Sequence, residues 1–575
     1  MMQYPITIKA GILGCVALAA IAVVPGFSQS QAQKPQAEQN GKQNAPTGPS
    51  LRVLTRLVQV SVIAQDKNGQ PVTGLTKDDF TLFDQGQEQK INFFAEQSNR
   101  AFPVTSTTSA TASSLTPPAN TFSNRFEQKI GTPNSVTVIL LDTRNTHFSD
   151  MAYARKQVAK FLEQIQPEDR VALYSLSSKL YILHDFTEDA TSLLQALARD
   201  PNSEDFRVGA SEPDASDTGD AVLDAAVNAS NARIAQFYMN DRVEQTALAI
   251  KIIADHLKGL PGRKNLIWVS AAFPIDVLGG ELPMDHVSYT DQIEDTARSL
   301  NNANVAIYPV DARGLIGNPI GVNRPGPRRG AAPSTASPFP ARQNFDTMNT
   351  MAERTGGRAF YNTNDINGAV RKAIDDSRVT YVLGYYPTNT NWDGKFRELK
   401  VRTSKPGVHL HFRAGYYALP DAPTTPAQKA QLISDAEWSP LEATDLAVEV
   451  QADPIDAAGS RGLQVQVRIA SNQLHFELNG AHWKDSLDEV WVEIGPKGKA
   501  LGTITKSVGL DVPQDSYDLF ISKGISFTEK LRILDDAIEL RLVTRDVGSG
   551  AIGSVNIPLA RMFAKPGTPP TTPKN

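Results

Sequence analysis

Residues Val136–Asp150, VTVILLDTRNTHFSD, constrain this chain more than any other stretch. The first six are β-branched or Leu, with no polar alternation. A strand buried on both faces reads this way. The run ends on Asp142, a short polar turn follows, and a helical pattern begins near Ser149. The carboxylate therefore falls at the C-terminal edge of a sheet, where open α/β sheets bind their ligands.

The pattern around this strand alternates. Helices are expected at Ala152–Gln166, at Thr187–Ala198 with Thr187 as cap, from Asp220 to Lys258, and at Tyr289–Asn301, Phe345–Thr355 and Ile366–Ser377. Strands are expected at Arg170–Leu176, Lys179–Phe186 as a hairpin edge, Asn265–Val269, Val305–Val310 and Arg358–Tyr361. Alternation of this kind predicts a mostly parallel, doubly wound sheet over 135–378. Polar residues 199–217 and Gly/Pro/Arg-rich residues 314–343 interrupt it as loops. They carry Glu204, Asp205, Glu212 and Asp214, and Arg324, Arg328 and Arg329.

The flanks are β only. Residues 51–96 read as a three-stranded module, with strands at Arg52–Gln65, Asp79–Phe83 and Ile91–Ala95. Residues 379–418 read as a second small piece, with strands at Thr380–Tyr386, Arg397–Thr403 and His409–Tyr417. Each is too small to bury a core alone. One shared β-sandwich, with the α/β block inserted between its halves, is the economical expectation. Residues 97–134 and 419–440 read as linkers, 441–562 as a C-terminal β-sandwich of six or seven strands, and 563–575 as a tail.

At the N-terminus Lys9 precedes the apolar run Ala10–Val24, with Ser30 and Ala32 as candidate cleavage residues. Residues 1–32 read as an export signal and 33–50 as a Gln/Pro/Asn spacer. Secretion or passage to the periplasm follows as an expectation. The one cysteine, Cys15, lies inside the signal, so the mature chain is expected to have no thiol chemistry. The formal charge of -5 over 575 residues gives no nucleic-acid footprint.

Several motifs resemble the bacterial VWFA-related domain proteins, whose central domain is a von Willebrand factor A (VWA) fold. They are GLTKDDFTLFDQGQEQKINFF (Gly74–Phe94), PGRKNLIWVSAAFP (Pro261–Pro274), ANVAIYPVDARGL (Ala303–Leu315), AERTGGRAFYNTNDI (Ala352–Ile366), and YVLGYYPTN with DGKFRELKVR. The resemblance runs from about residue 53 to 418. It implies that Val136–Asp150 is the first strand and metal loop, which reads Asp-x-Ser-x-Ser in a working VWA site. Asp142 matches the Asp and Thr146 the second Ser. Arg144 stands where the first Ser belongs, and a guanidinium offers only donors.

The second-loop threonine has two candidates, Thr218 and Thr246. The third loop, Ser270-Ala271-Ala272, lacks a carboxylate, and Asp276 is several residues on. The resemblance thus implies a degenerate site. Mg²⁺ or Mn²⁺ binding at Asp142 and Thr146 is one reading; in the other no cofactor is bound and Asp142 simply caps the turn, accepting backbone N–H bonds before the helix. In a third, Arg144 folds back onto Asp142 or meets a partner's carboxylate. Asp142, Arg144, Asn145 and Thr146 are the candidate residues for contact with a protein partner, and association with the cell envelope is an expectation.

No Gly-x-Ser-x-Gly elbow, P-loop or His-Glu-x-x-His is present. The eight histidines are scattered. His409 and His411 share a strand face, a pattern commoner in surface strands than in metal sites. No catalytic residue is expected, and a hydrolase of unrecognised type is the remaining enzymatic alternative.

Overall fold

The structure is a computed structural model. It describes residues 56–98, 120–125, 135–200, 220–260, 262–271, 290–315, 339–419, 425–457 and 460–563. The expected signal 1–32 with Cys15, the spacer 33–50, most of 97–134, 201–217, Thr218, Asp276, Arg324, Arg328, Arg329 and the tail beyond 563 lie outside the described residues.

The chain opens with strands β1 (Val58–Gln65), β2 (Phe80–Asp84), β3 (Gln87–Gln89) and β4 (Ile91–Ser98), followed by β5 (Thr121–Ser123). Strands and helices then alternate: β6 (Ser135–Asp142), α1 (Phe148–Leu162), β7 (Val171–Leu176), β8 (Leu180–Thr187), α2 (Ala190–Ala198), α3 (Ala221–Lys258), β9 (Arg263–Ser270), α4 (Thr290–Asn302), β10 (Val305–Asp311), α5 (Phe339–Thr355) and α6 (Ile366–Asp375). A β block follows, with β11 (Val379–Tyr385), β12 (Phe396–Thr403), β13 (His409–His411) and β14 (Gly415–Tyr417). After α7 (Pro426–Trp438) come β15 (Val448–Ala457), β16 (Ser460–Ile469), β17 (Glu477–Asn479), β18 (His482–Gly495), β19 (Lys499–Pro513), α8 (Tyr517–Lys523), β20 (Ile525–Arg532), β21 (Glu539–Asp546), β22 (Ile552–Pro558) and α9 (Leu559–Met562).

The central sheet has the order β10-β9-β6-β7-β8 and is parallel except for β8, which runs antiparallel to β7. Every residue of β6 and β9 is buried. Alternate residues of β6 serve opposite faces. Val136, Val138 and Leu140 pack with α3, α4 and α5 through residues such as Ile253, Leu300 and Met351. Ile139 and Leu141 pack with α1, α2 and α6 through Phe161, Leu193 and Ile374. The architecture is mixed α/β, with helices on both faces of a mostly parallel sheet.

The two small β pieces pair with each other. One sheet is β13-β1-β11-β4 and the other β14-β12-β2-β3, so each mixes strands from both ends of the α/β block. Their shared core holds Val60, Val62, Leu82, Tyr381, Leu383 and Tyr385. Asp84 on β2 accepts from the hydroxyls of Tyr385 on β11 at 2.8 Å and Tyr416 on β14 at 2.9 Å. The C-terminal β domain sets β20-β16-β15-β5 beside β17-β18-β21-β22, with β19 paired to β18.

Several expected elements differ. Residues 419–440 are not a plain linker. Thr425 and Gln428 form a capping box with Pro426 in the first turn, and α7 packs Ala436 on Val490, Val492 and Val543. Part of 97–134 is not a linker either: β5 extends the C-terminal sheet beside β15. Asn124 anchors it, donating to Ala443 O at 2.7 Å and Leu446 O at 2.9 Å. The cap of α2 is Asp189, which accepts from the Thr191 and Ser192 amides; Thr187 ends β8. Arg358–Tyr361 makes a single bridge, Val310 to Phe360, and His409–Tyr417 is broken into two short strands.

Candidate functional site

Asp142 ends the central strand of the sheet and is completely buried. Beyond it Thr143 donates its hydroxyl to Leu176 O at 2.7 Å, and the Arg144 amide donates to the same carbonyl at 3.0 Å. These bonds fold the chain over the end of β7 before α1 begins. The turn then points Asn145 back at Asp142, its amide reaching Oδ1 at 3.1 Å and its Nδ2 reaching Oδ2 at 2.8 Å.

Two further donors come from β9. Trp268 Nε1 and Ser270 Oγ each lie 3.0 Å from Asp142 Oδ2. Asp142 thus takes four donors. Burial pushes its carboxyl above the usual range, and the bonds from Asn145, Trp268 and Ser270 pull the other way by favouring the charged form. Asn145 Nδ2 also reaches Thr246 Oγ1 at 2.8 Å, tying α3 to the cluster. Thr146 Oγ1 accepts from the Ala271 amide at 2.9 Å and so ties the first loop to the third.

Arg144 does not fold back onto Asp142. Its Nη1 donates to Ser177 O at 3.0 Å, and its Nη2 pairs with Asp241 on α3. The reason is local: both Asp142 oxygens already take donors from the protein, and Asp241 brings a carboxylate from the neighbouring helix. The guanidinium is 15% exposed and Asp241 is 45% exposed. One turn earlier on α3, Phe237 and Tyr238 stand in solvent. At the next strand end, Asp311 is held bidentately by Arg313, at 2.9 Å to Nε and 2.8 Å to Nη2.

A small cavity adjoins the cluster, lined by Val243, Thr246, Ile250, Trp268, Gln292 and Met351 among others. Its volume of about 20 Å³ has room for about one water molecule.

A Mg²⁺ or Mn²⁺ ion needs a shell of hard oxygen ligands with open lone pairs. Here four donors already point at Asp142; Thr146 and Thr246 each accept an N–H; Arg144 offers only donors; and Ala271 presents an amide. The residues do not fit the ion. Among the described residues no group of three or more His, Cys, Asp or Glu converges, and His409 and His411 stand exposed on β13. Of the four candidate residues, Asp142, Asn145 and Thr146 share one buried cluster, while Arg144 faces outward to Asp241. Sequence reasoning placed Ser270 in the third loop without its bond to Asp142, and missed Trp268 and Asp241 altogether. A Trp and a Ser in the strand beside an Asp-terminated strand were the available signal for Trp268 and Ser270; Asp241 lies on a helix with no register to place it.

No protein-family model matches the chain, and no curated protein matches it. Solved structures give distant likenesses. An aerotolerance-related membrane protein from Bacteroides fragilis is 16% identical, covering 42% of this chain and 98% of its own, at a TM-score of 0.23. BatB from Bacteroides thetaiotaomicron is 15% identical over 42% and 98%, at 0.22. The N-terminal domains of the type V pili tip protein Mfa5 from Porphyromonas gingivalis are 9% identical over 82% and 77%, at 0.24. Among the described residues no helix is long and apolar enough to cross a membrane.

Proposed function

We propose that the chain is an exported, non-catalytic protein-interaction module of the VWFA-related kind. It engages a protein partner, at or outside the cell envelope, through the C-terminal edge of its VWA-like sheet and without a metal. The observation that carries this reading is the buried hydrogen-bond cluster of Asp142, Asn145, Thr246 and Trp268, with the Thr146–Ala271 bond beside it. Both Asp142 oxygens already accept protein donors there. What the cluster provides is a rigid floor that fixes the loop bearing Arg144. The rim above that floor combines Arg144, Asp241, Phe237 and Tyr238, and aromatic and Arg side chains are the usual anchors of protein interfaces. The one-water cavity beside the floor suits neither a substrate nor a cofactor. Export rests on Lys9 and the run Ala10–Val24.

Photo-crosslinking in the native envelope tests this. The full chain would carry a crosslinker at Phe237 in one experiment and at Glu163, at the far end of α1, in another. A discrete adduct from Phe237 alone, unchanged by chelator, is the expected result. Equal adducts from both positions, or loss on chelation, would overturn the reading.

A further inference from the structure

Helix α3 runs for 38 residues, which is about 57 Å at the rise of an α-helix. Only its second half feeds the core, from Val243 through Ile250, Ile253 and Leu257. From Val222 to Tyr238 no described side chain is buried. That stretch nevertheless carries large apolar groups. Leu223 is 50% exposed, Ile234 48% and Phe237 68%, and Val222 and Tyr238 stand in solvent beside them. Val222, Val227, Asn228, Ser230 and Asn231 are weak helix formers, and a helical segment with no packed face depends on propensity alone.

The apolar groups are ordered. Leu223, Val227, Ser230, Ile234 and Phe237 follow one another at alternating spacings of four and three, so they form one stripe along the helix. The next position of the stripe is Asp241, which Arg144 holds. The stripe therefore rises directly from the rim.

We propose that this stripe is a two-fold interface whose occupant is a second copy of the chain, paired through α3 in antiparallel orientation. It names the partner of the rim and rests on the reading of that rim as a protein-binding edge.

The pattern is self-complementary. A two-fold axis between Asn228 and Ala229 brings Leu223 level with Ile234 of the second copy, and Val227 level with Ser230. Large side chains then meet at both ends of the seam, the small Ser230 receives Val227 in the middle, and Phe237 closes each end. One isologous contact covers the stripe of both copies at once. Charge selects the same orientation. Asp224 and Arg233 are the charged residues between Ala221 and Asn240, and antiparallel pairing brings each level with its opposite. A parallel pair would set Asp224 level with Asp224 and Arg233 with Arg233. The area is sufficient: at their observed exposures Val222, Leu223, Ile234, Phe237 and Tyr238 offer roughly 500 Å² per copy, and a pair buries on the order of 1,000 Å², the lower bound for a specific interface. A seam of that size makes a reversible dimer.

Sedimentation equilibrium of the full chain across the micromolar range tests this. The wild type should pass from monomer to dimer. Leu223→Lys alone and Ile234→Glu alone should each weaken dimerisation by about tenfold or more, because each buries an unpaired charge twice in the seam. Combined in one chain, Leu223→Lys and Ile234→Glu should restore the dimer, since antiparallel pairing sets the two new charges against each other. Rescue also shows that the single variants fold. A monomer at every concentration, a dimer indifferent to either single substitution, or a double variant that stays monomeric would overturn the proposal. The crosslinker at Phe237 separates this failure from failure of the rim. With a monomeric chain, an adduct to a different protein removes the second copy and keeps the rim as a binding edge, and no adduct removes both.

Discussion

The indole N–H of Trp268 lies 3.0 Å from Oδ2 of Asp142, joining the ends of two adjacent parallel strands through a fully buried carboxylate. A charged acceptor makes this bond stronger than a neutral one. Trp268→Phe removes the donor and leaves a small void. We expect a loss on the order of 2–4 kcal/mol in denaturant unfolding. The bond favours ionised Asp142, so the deficit should be largest at higher pH and shrink as pH falls through the carboxyl's raised titration. A deficit independent of pH would mean that Asp142 does not change its protonation over the range.

Lys264 is buried, and its ammonium donates to Lys258 O and Ala303 O, both at 3.0 Å. Burial lowers its titration to about 8. The unfolded chain keeps that proton up to about pH 10.4. Between these values the unfolded state binds more protons, so this lysine makes stability rise with pH. In Lys264→Met the rise should vanish, which parallel denaturation series at about pH 8 and about pH 10 would read.

Gly259 closes α3 against the C-terminal domain. A Cβ there would fall 1.8 Å from Thr444 O. Thr444 also donates to His256 O at 2.7 Å and accepts from the Gly259 amide at 3.0 Å. Gly259→Ala must push the two domains apart locally, at a cost of about 1–3 kcal/mol. Calorimetric unfolding should show the variant's transitions separating further than those of the wild type.

The Asp84 carboxylate is shared by Tyr385 and Tyr416, which enter the chain some 300 residues later, at separations of 301 and 332. Half the sandwich is therefore absent from residues 56–98. That peptide alone should be unfolded by circular dichroism, and Tyr385→Phe in the full chain should cost about 1–3 kcal/mol.

Much of this architecture is visible in sequence because burial writes strong patterns. Val136–Leu141 has no polar alternation and lies at the centre of the sheet. The pairing of 58–98 with 379–417 follows from two β pieces each too small to bury a core. What escaped has equally physical causes. β19 alternates weakly, because most of its residues are exposed on an edge strand. α7 carries a Gln- and Ala-rich sequence that resembles a linker until its capping box is noticed. β5 is three residues long, and its place depends on Asn124 bonding residues more than 300 positions away. The partner of Arg144 was illegible, since Asp241 reaches it from within a 38-residue helix.

The central claim is that Asp142 is satisfied by protein donors and leaves nothing for an ion. Calorimetric titration of Mg²⁺ and Mn²⁺ into the full chain tests it most directly. The account predicts no saturable heat in the wild type and none in Arg144→Ser, because the oxygens of Asp142, Thr146 and Thr246 stay engaged in both. Saturable binding that disappears in Asp142→Ala would contradict it.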